Sequence, residues 1–309
     1  ATPSSAARAL LDGRRVAGHC SGTLIAPNLV LTARHCVAFT AETDPEGVVE
    51  CDKAEFRGSF PARLLLASPS PVRPTDPDDP SYVRGRTIRT LGEAQVCGSD
   101  IALIILEETL PPGIEPITPR LERWPLDREE FSTVGYGLTQ LDDPSSDGTR
   151  QRADGSAVRC SGEACVSLSG GSIKSSEWAS VNAPICSGDS GGPALDERGR
   201  VFGVASRGDP NCEIAVYGNV ANWAPFIVDA ALEAADVGRY APPEWARDTS
   251  FVADTTETAG GEGCDIAPLR RPSSGGSAPS LSMSCLAMLF CAAWGMRRAR
   301  GRRRRAVEP

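Results

Sequence analysis

The sequence predicts an all-β fold of many short strands, with one helix near the end of the folded region. The 31 glycines and 25 prolines interrupt the chain too often for long helices. Short apolar runs alternate with turn-rich stretches, and only one stretch has helical periodicity. A hydrophobic content of 40% in 309 residues is enough for a substantial core.

The apolar runs are the predicted strands. They lie at residues 22–32, 100–106, 131–136 and 200–205, and they favour a barrel or a sandwich. Residues 69–80 carry five prolines and three aspartates. Because proline has no N–H to give to a strand ladder, this segment is predicted to be an exposed insertion.

The helical stretch closes the predicted domain. Its apolar residues recur at helical spacing and are Trp223, Phe226, Ile227, Ala230, Ala231 and Ala234. After Gly238 the composition turns to Pro, Thr, Gly and acidic residues, which cannot bury enough apolar surface to fold. Residues 239–277 are therefore predicted to be a flexible linker.

Residues 278–309 form a separate apolar and basic tail. Residues 281–296 are largely apolar, which is short of the roughly 20 residues of a membrane-spanning helix. Seven arginines follow between positions 297 and 305, as on the cytoplasmic side of a membrane anchor. The net charge is −8 despite these arginines, so the rest of the chain is acidic and nucleic acid is excluded as a partner.

The cysteines predict disulfides and an oxidising compartment. Eight of the eleven cysteines lie at or before Cys212, an even set, and no pair has the C-x-x-C spacing of zinc sites. No metal or cofactor is expected. The predicted disulfides favour a secreted or cell-surface protein. The chain begins with Ala rather than Met, so we expect a processed product or a fragment.

Residues 188–193 read G-D-S-G-G-P and predict a nucleophilic serine, Ser190. The glycines let the backbone turn sharply and direct the N–H groups of Gly188 and Ser190 toward an oxyanion. A serine hydroxyl needs a base to remove its proton. Of the two histidines, His35 lies in L-T-A-R-H-C, and a carboxylate, Asp100, begins D-I-A-L-I.

These motifs, in the order His35, Asp100, Ser190, resemble the chymotrypsin and trypsin family of serine proteases. The family resemblance implies two six-stranded antiparallel β-barrels, at about residues 9–110 and 120–238, in a protease domain over residues 1–238. It implies Ser190 as nucleophile, His35 as general base and Asp100 as the carboxylate that orients the imidazole. His19 occupies a position that borders the leaving-group side in the family, and we interpret it as a polar residue near the cleft.

The same resemblance implies disulfides and a specificity pocket. It pairs Cys20 with Cys36 and Cys186 with Cys212, and elimination then suggests Cys51–Cys97 and Cys160–Cys165. The pocket residues it implies are Pro184, Ile185, Ser206, Gly208 and Ala215. Trypsin-like members carry an aspartate where this chain has Pro184. An apolar pocket floor cannot stabilise a buried guanidinium, so a small or medium apolar residue is expected before the scissile bond.

One feature of the family is missing. Its members pair the aspartate at the position of Asp189 with a new N-terminal amine on Ile or Val, and no such sequence occurs here. A buried carboxylate without a partner is costly or takes up a proton. Either the sequence is truncated relative to the active enzyme, which we favour, or the protein is a zymogen or an inactive homologue with another cation near Asp189.

The tail resembles the tripartite sorting signals of myxobacterial surface proteins, with Cys264 in a Gly-Cys site, a Ser-rich spacer, an apolar stretch and the arginines. A plain membrane anchor fits equally well. The expected function is a secreted serine endopeptidase acting through an acyl-enzyme on proteins or peptides, and the oligomeric state stays open. The alternatives are an inactive homologue that serves as a binding or adhesion module, and a non-peptidase serine hydrolase, which the order of the three residues disfavours.

Overall fold

The computed structural model describes residues 19–41, 49–139, 144–165, 173–209 and 211–247. Most of the predicted linker, the tail at residues 278–309 and Cys264 lie outside these ranges. Within them the fold is mostly β with one long helix near the end, which confirms the predicted fold class. No helix in the described part of the chain is long and apolar enough to cross a membrane.

The first half contains seven strands in two antiparallel sheets. They are β1 (Thr23–Ala26), β2 (Leu29–Thr32), β3 (Ala38–Ala41), β4 (Glu55–Ser59), β5 (Leu66–Ala67), β6 (Val83–Thr90) and β7 (Ala102–Leu106). The larger sheet has the order β1-β2-β7-β6-β5, and β3 pairs with β4. This half is a partly open barrel among the described residues, because β5 is two residues long and leads into the proline-rich segment, which cannot continue a ladder.

The second half is a closed barrel of six antiparallel strands. They are β8 (Glu130–Gly135), β9 (Gln151–Ser161), β10 (Glu177–Val181), β11 (Pro193–Leu195), β12 (Val201–Gly208) and β13 (Ala215–Asn219). Aromatic rings fill it. The Trp178 ring stacks on Tyr217 and Phe202 at centroid distances of 4.3 and 5.2 Å. A Cβ at Gly203 would lie 2.4 Å from the Trp178 ring, so this position requires glycine.

The predicted helix is present as α1 (Ala224–Gly238) and is followed by the short α2 (Glu244–Arg247). A proline at the start of α1 is favourable because its missing N–H would be unpaired there. Although α1 follows the second barrel in sequence, its buried face packs against strands of the first half, with Ile227 and Ala231 in one core with Leu31 and Ile105. The helix therefore ties the two halves together.

The segment at residues 69–80 is exposed only in part. Val72 is 58% exposed, yet its backbone forms a bridge with Thr149 of the second half. The Arg73 N–H donates to Gly148 O (2.7 Å), and the Arg150 N–H donates to Pro71 O (2.8 Å). The insertion thus crosses from one half to the other.

Four disulfides join the described cysteines in the pairs expected from the sequence. They are Cys20–Cys36, Cys51–Cys97, Cys160–Cys165 and Cys186–Cys212. The first and second lie in the first half, and the other two lie in the second half. Each disulfide constrains a loop next to a strand. That strand either leads to a candidate site residue or forms part of a barrel wall.

Candidate active site

His35 and Asp100 are brought together by the pairing of two strands. His35 lies in a 3₁₀ turn just after β2, and Asp100 lies just before β7. Because Thr32 of β2 is the partner of Ala102 in β7, the two neighbouring segments are adjacent. His35 Nδ1 is 2.7 Å from Asp100 Oδ2, and the His35 backbone N–H donates to Asp100 Oδ1 (2.9 Å). The pair is thus fixed at both carboxylate oxygens.

The surroundings favour the charged forms of this pair. The Asp100 side chain is 2% exposed, and the His35 side chain is 26% exposed. Burial alone would raise the pKa of Asp100, but attraction to His35 and hydrogen bonds from His35 and Ser206 outweigh it and lower the pKa. Burial likewise acts to lower the pKa of His35, and the Asp100 charge outweighs it and raises the pKa. A carboxylate is therefore available to hold the imidazole in one tautomer.

Ser206 completes the environment of Asp100. Its hydroxyl donates to Asp100 Oδ2 at 2.6 Å, and its side chain is buried. The sequence interpretation placed Ser206 in the specificity pocket, whereas its side chain points to the carboxylate. Because Ser206 belongs to β12, the second barrel contributes directly to the Asp100 site of the first half.

Ser190 lies in the turn before β11, against the first half of the molecule. Its carbonyl accepts from the Ser21 N–H at 2.7 Å. At Gly191, with φ of +83°, a Cβ would lie 2.1 Å from Thr32 Oγ1, so only glycine allows this approach. Ser190, His35 and Gly188 line the same cleft, of about 900 Å³. No hydrogen bond joins Ser190 Oγ to His35 within the described residues, as is common before substrate binds.

The turn around Ser190 also presents two backbone donors. Within the described residues, the N–H groups of Gly188 and Ser190 donate to no other group. Gly188 has a φ of +100°, and a Cβ there would lie 2.5 Å from His19 Nε2. His19, on the same cleft, contacts Tyr136 O at 3.0 Å and Asp147 Oδ1 at 3.2 Å. Such free amides can stabilise a developing oxyanion.

Asp189 is buried beneath this turn. Its carboxylate oxygens accept from the N–H groups of Gly137 (2.8 Å) and Cys186 (2.9 Å). Burial raises the pKa of Asp189, and these two hydrogen bonds and the attraction of His19 only partly oppose the shift. No salt bridge to Asp189 occurs among the described residues, and residues 1–18 lie outside them.

The other predicted pocket residues do not line the cleft that contains His35 and Ser190. Ile185 and Ala215 pack in the aromatic core of the second barrel, and Pro184 is exposed. A Cβ at Gly208 would lie 3.0 Å from Ile214 O, so the backbone of Ile214 runs close to Gly208.

Sequence reasoning missed a buried ion pair beside the site. The Arg207 guanidinium donates to both carboxylate oxygens of Glu177, at 2.6 and 2.8 Å, and the Glu177 side chain is 2% exposed. The only signal in the sequence was a single charged residue in each of two otherwise uncharged strands, β10 and β12.

The described residues do not support a metal centre in the cleft. One group of potential ligands is close enough, namely Cys20, His35 and Cys36. However, the two cysteines form a disulfide and have no thiolate to offer.

Comparison with known proteins identifies the family of this chain. Residues 20–204, more than half of the chain, match the family model described as a trypsin-like peptidase domain. The chain belongs to the trypsin-like serine protease family. It is 29% identical over 224 residues to the cercarial protease of Schistosoma mansoni, covering 67% of this chain and 79% of that protein.

Among solved structures, the chain is similar to neuropsin, a serine protease expressed in the limbic system of mouse brain. The identity is 18%, the TM-score is 0.46, and the match covers 68% of this chain and 88% of the neuropsin chain.

Proposed function

We propose that this member of the family is an active serine endopeptidase that forms an acyl-enzyme at Ser190. The observation that carries the proposal is the hydrogen-bonded array of His35, Asp100 and Ser206, in which His35 lines the same cleft as Ser190. A neutral imidazole held by a buried carboxylate is the base that a serine hydroxyl requires.

In the proposed reaction, His35 Nε2 takes the Ser190 proton as Ser190 Oγ attacks the peptide carbonyl. Asp100 stabilises the imidazolium and keeps its proton on Nδ1. The amides of Gly188 and Ser190 bind the oxyanion, and His35 then gives its proton to the leaving amine. Water attacks the acyl-enzyme in the second half of the reaction and restores Ser190.

We propose a small or medium apolar residue before the scissile bond. The family resemblance assigns the pocket to Pro184, Ile185 and Ala215, which are apolar and would not stabilise a buried guanidinium. The loop after Gly208 is held tightly, because the Asp209 carboxylate accepts the N–H groups of Asn211, Glu213 and Ile214. A peptide-library profile dominated by Arg or Lys would contradict this preference.

The proposed location is secreted or at the cell surface, supported by the four disulfides. The domain boundaries, and a role of the tail in anchoring or sorting through Cys264, stay predictions. The mass of the mature C-terminus would distinguish cleavage near Cys264 from an intact anchor.

A zymogen-locked or inactive homologue acting as a binding module is the second candidate. One observation favours it, namely that Asp189 has a raised pKa and only backbone donors among the described residues. A carboxylate that takes up a proton would hold the Gly188–Ser190 turn less firmly.

The test is hydrolysis of an unfolded protein substrate by the full chain and by Ser190→Ala and His35→Ala. The proposal predicts that both variants lose at least about 10³ of the activity while their thermal unfolding is unchanged. A full-length, processed wild-type protein with no activity would support the second candidate. Hydrolysis that survives Ser190→Ala would exclude Ser190 as the nucleophile.

A further inference from the structure

The segment that leads into Asp100 is hydrogen-bonded to side chains of the opposite half. The Gly98 N–H donates to Glu177 Oε1 at 2.7 Å, and Ser176 Oγ donates to the Gly98 carbonyl at 2.5 Å. Both polar groups of one peptide position in the first half are therefore satisfied by adjacent residues of the second. We call Ser176, Glu177 and Arg207 the Gly98 clasp.

The backbone conformation of Gly98 and the lack of a side chain allow this contact. Its φ is +91°, a conformation that favours glycine. A Cβ there would lie 3.1 Å from Lys174 Cβ and 3.3 Å from Ser176 Oγ, so a larger residue would push the two halves apart. On its other side Gly98 follows Cys97, which is joined to Cys51 of its own half. The position is held firmly on both sides of the contact.

The carboxylate of the clasp is fully occupied. Besides the Gly98 N–H, Glu177 accepts the Lys174 N–H at 3.0 Å and two donors of the Arg207 guanidinium. A buried carboxylate with this many donors keeps one geometry, because moving it would leave charged or polar groups unpaired. Glu177 also belongs to the closed barrel, where Trp178 pairs with Tyr217.

The clasp connects Gly98 to Asp100 by a second route. Arg207 follows Ser206 in β12, and the Ser206 hydroxyl donates to Asp100 Oδ2. The three-residue segment from Gly98 to Asp100 is thus bound at its first residue by Ser176 and Glu177 and at its last by Ser206. All of these groups come from the barrel that also carries Ser190.

From this we infer that Ser176, Glu177 and Arg207 are positioning residues, which set the distance between the His35–Asp100 pair and Ser190 across the two halves. None of them needs to touch substrate. Their effect would be transmitted through Gly98 to Asp100 and so to His35. The inference rests on the proposed function, because it assigns the clasp a role in that reaction.

The geometry predicts a specific kinetic signature. His35 and Asp100 are both in the first half and would move together, so loosening the clasp should leave their mutual hydrogen bond and the acid limb of the pH profile unchanged. Only the rate of proton transfer between Ser190 and His35 should fall. A misplacement of about 1 Å can cost on the order of 10²-fold in rate. The expected result is a lower kcat with KM and the pH midpoint retained.

The experiment compares Glu177→Gln and Ser176→Ala in the full chain with two matched controls. Glu129→Gln weakens another ion pair, in which Glu129 accepts from the buried Arg120 and has no contact with Gly98 among the described hydrogen bonds. Ser156→Ala removes another buried hydroxyl, which donates to Asn182 O at 3.0 Å. Each kcat is normalised to the number of serines that react with an organophosphonate, so that unfolded molecules do not count.

The inference predicts that Glu177→Gln lowers kcat about 10- to 100-fold and Ser176→Ala by a smaller factor, with KM within about threefold of wild type. Ser176→Thr, which keeps the hydroxyl, should restore most of the rate, and both controls should keep it. If Glu177→Gln does not fold, the comparison of Ser176→Ala with Ser176→Thr still tests the inference.

An unchanged kcat in Ser176→Ala, or an equal loss in the controls, would overturn the inference. A shifted acid limb in the clasp variants would also overturn it, because the clasp would then act within the His35–Asp100 pair. An inactive wild type would overturn the proposed function and this inference together. An active wild type with insensitive clasp variants would overturn the inference alone.

Discussion

The candidate site contains two buried aspartates, Asp100 and Asp189, whose surroundings have opposite effects on the carboxyl pKa. Asp100 accepts from an imidazole, a backbone N–H and the Ser206 hydroxyl, and its pKa is lowered despite burial. Asp189 accepts from two backbone N–H groups, and burial raises its pKa. The surroundings of Asp100 favour its charged form, whereas those of Asp189 disfavour its charged form.

The comparison separates two requirements of the reaction. In the proposed reaction, Asp100 would hold His35 as the base, and its carboxylate accepts three hydrogen bonds within the described residues. Asp189 would hold the Gly188–Ser190 turn, and it has only backbone donors within the described residues. Under the proposal, the group that supports proton transfer therefore has more partners than the group that supports the oxyanion site.

The largest expected effect comes from Asp100→Asn. The amide keeps the shape of the side chain but no longer stabilises the imidazolium or selects the tautomer with a proton on Nδ1. We expect kcat to fall by about 10⁴-fold. Steady-state kinetics with a peptide substrate would measure this, and a loss of less than tenfold would contradict the role assigned to Asp100.

A smaller loss is expected for Asp189→Asn. An amide has one acceptor oxygen where the carboxylate offers two, so one of the Gly137 and Cys186 amides loses its partner and the turn loosens. Because loss of one oxyanion donor costs on the order of 10²- to 10³-fold, kcat should fall by no more than this. The same steady-state kinetics would measure this fall in kcat. A loss equal to that of Asp100→Asn would contradict the different roles assigned to the two carboxylates.

Ser206→Ala should have a milder effect still. It removes one donor to Asp100 and leaves both contacts from His35. A hydrogen bond to a charged group contributes about 1.5–3 kcal/mol, so a loss of roughly 10- to 100-fold in kcat/KM is expected. The acid limb of the pH profile should also move. If kcat/KM and this limb both match wild type, Ser206 does not support Asp100.

The smallest effect is the pH dependence of stability, where the two aspartates should differ in sign. Asp100 has a lowered folded pKa, so its contribution is present above the unfolded value of about 3.9 and is lost as pH falls through the folded pKa. Asp189 has a raised folded pKa, so its contribution is present below about 3.9 and is lost as pH rises through the folded pKa.

Urea unfolding of both Asn variants between about pH 3 and pH 7 would measure this contrast. Asp100→Asn should destabilise more at the upper end, and Asp189→Asn should destabilise more at the lower end. The same pH trend in both variants would show that the two carboxylates are not in opposite environments.

The features that could be predicted from the sequence are those that depend on short stretches of neighbouring residues. Apolar runs gave the strands, helical spacing gave α1, and short motifs identified Ser190, His35 and Asp100 as candidates. Each of these signals is contained within about a dozen residues. The open form of the first half was not foreseen, because it depends on how short β5 is and on where its ladder stops.

The partners of the candidate residues could not be predicted, because they are distant in sequence. Ser206 is 106 positions from Asp100, and Glu177 is 79 positions from Gly98. Only the folded chain places these side chains together. The assignment of Ile185 to the specificity pocket stays a prediction, and its side chain packs in the core of the second barrel.

The most direct test of the central claim is the rate at which an organophosphonate labels Ser190, followed against pH in wild type and in Asp100→Asn. The account predicts labelling at Ser190 alone, with a rate that falls as pH drops below a midpoint higher than the ordinary histidine value of about 6.5, because Asp100 raises the pKa of His35. In Asp100→Asn the labelling should be slower by several orders of magnitude, with its midpoint at lower pH. Equal rates in the two proteins, or label on a residue other than Ser190, would contradict the account.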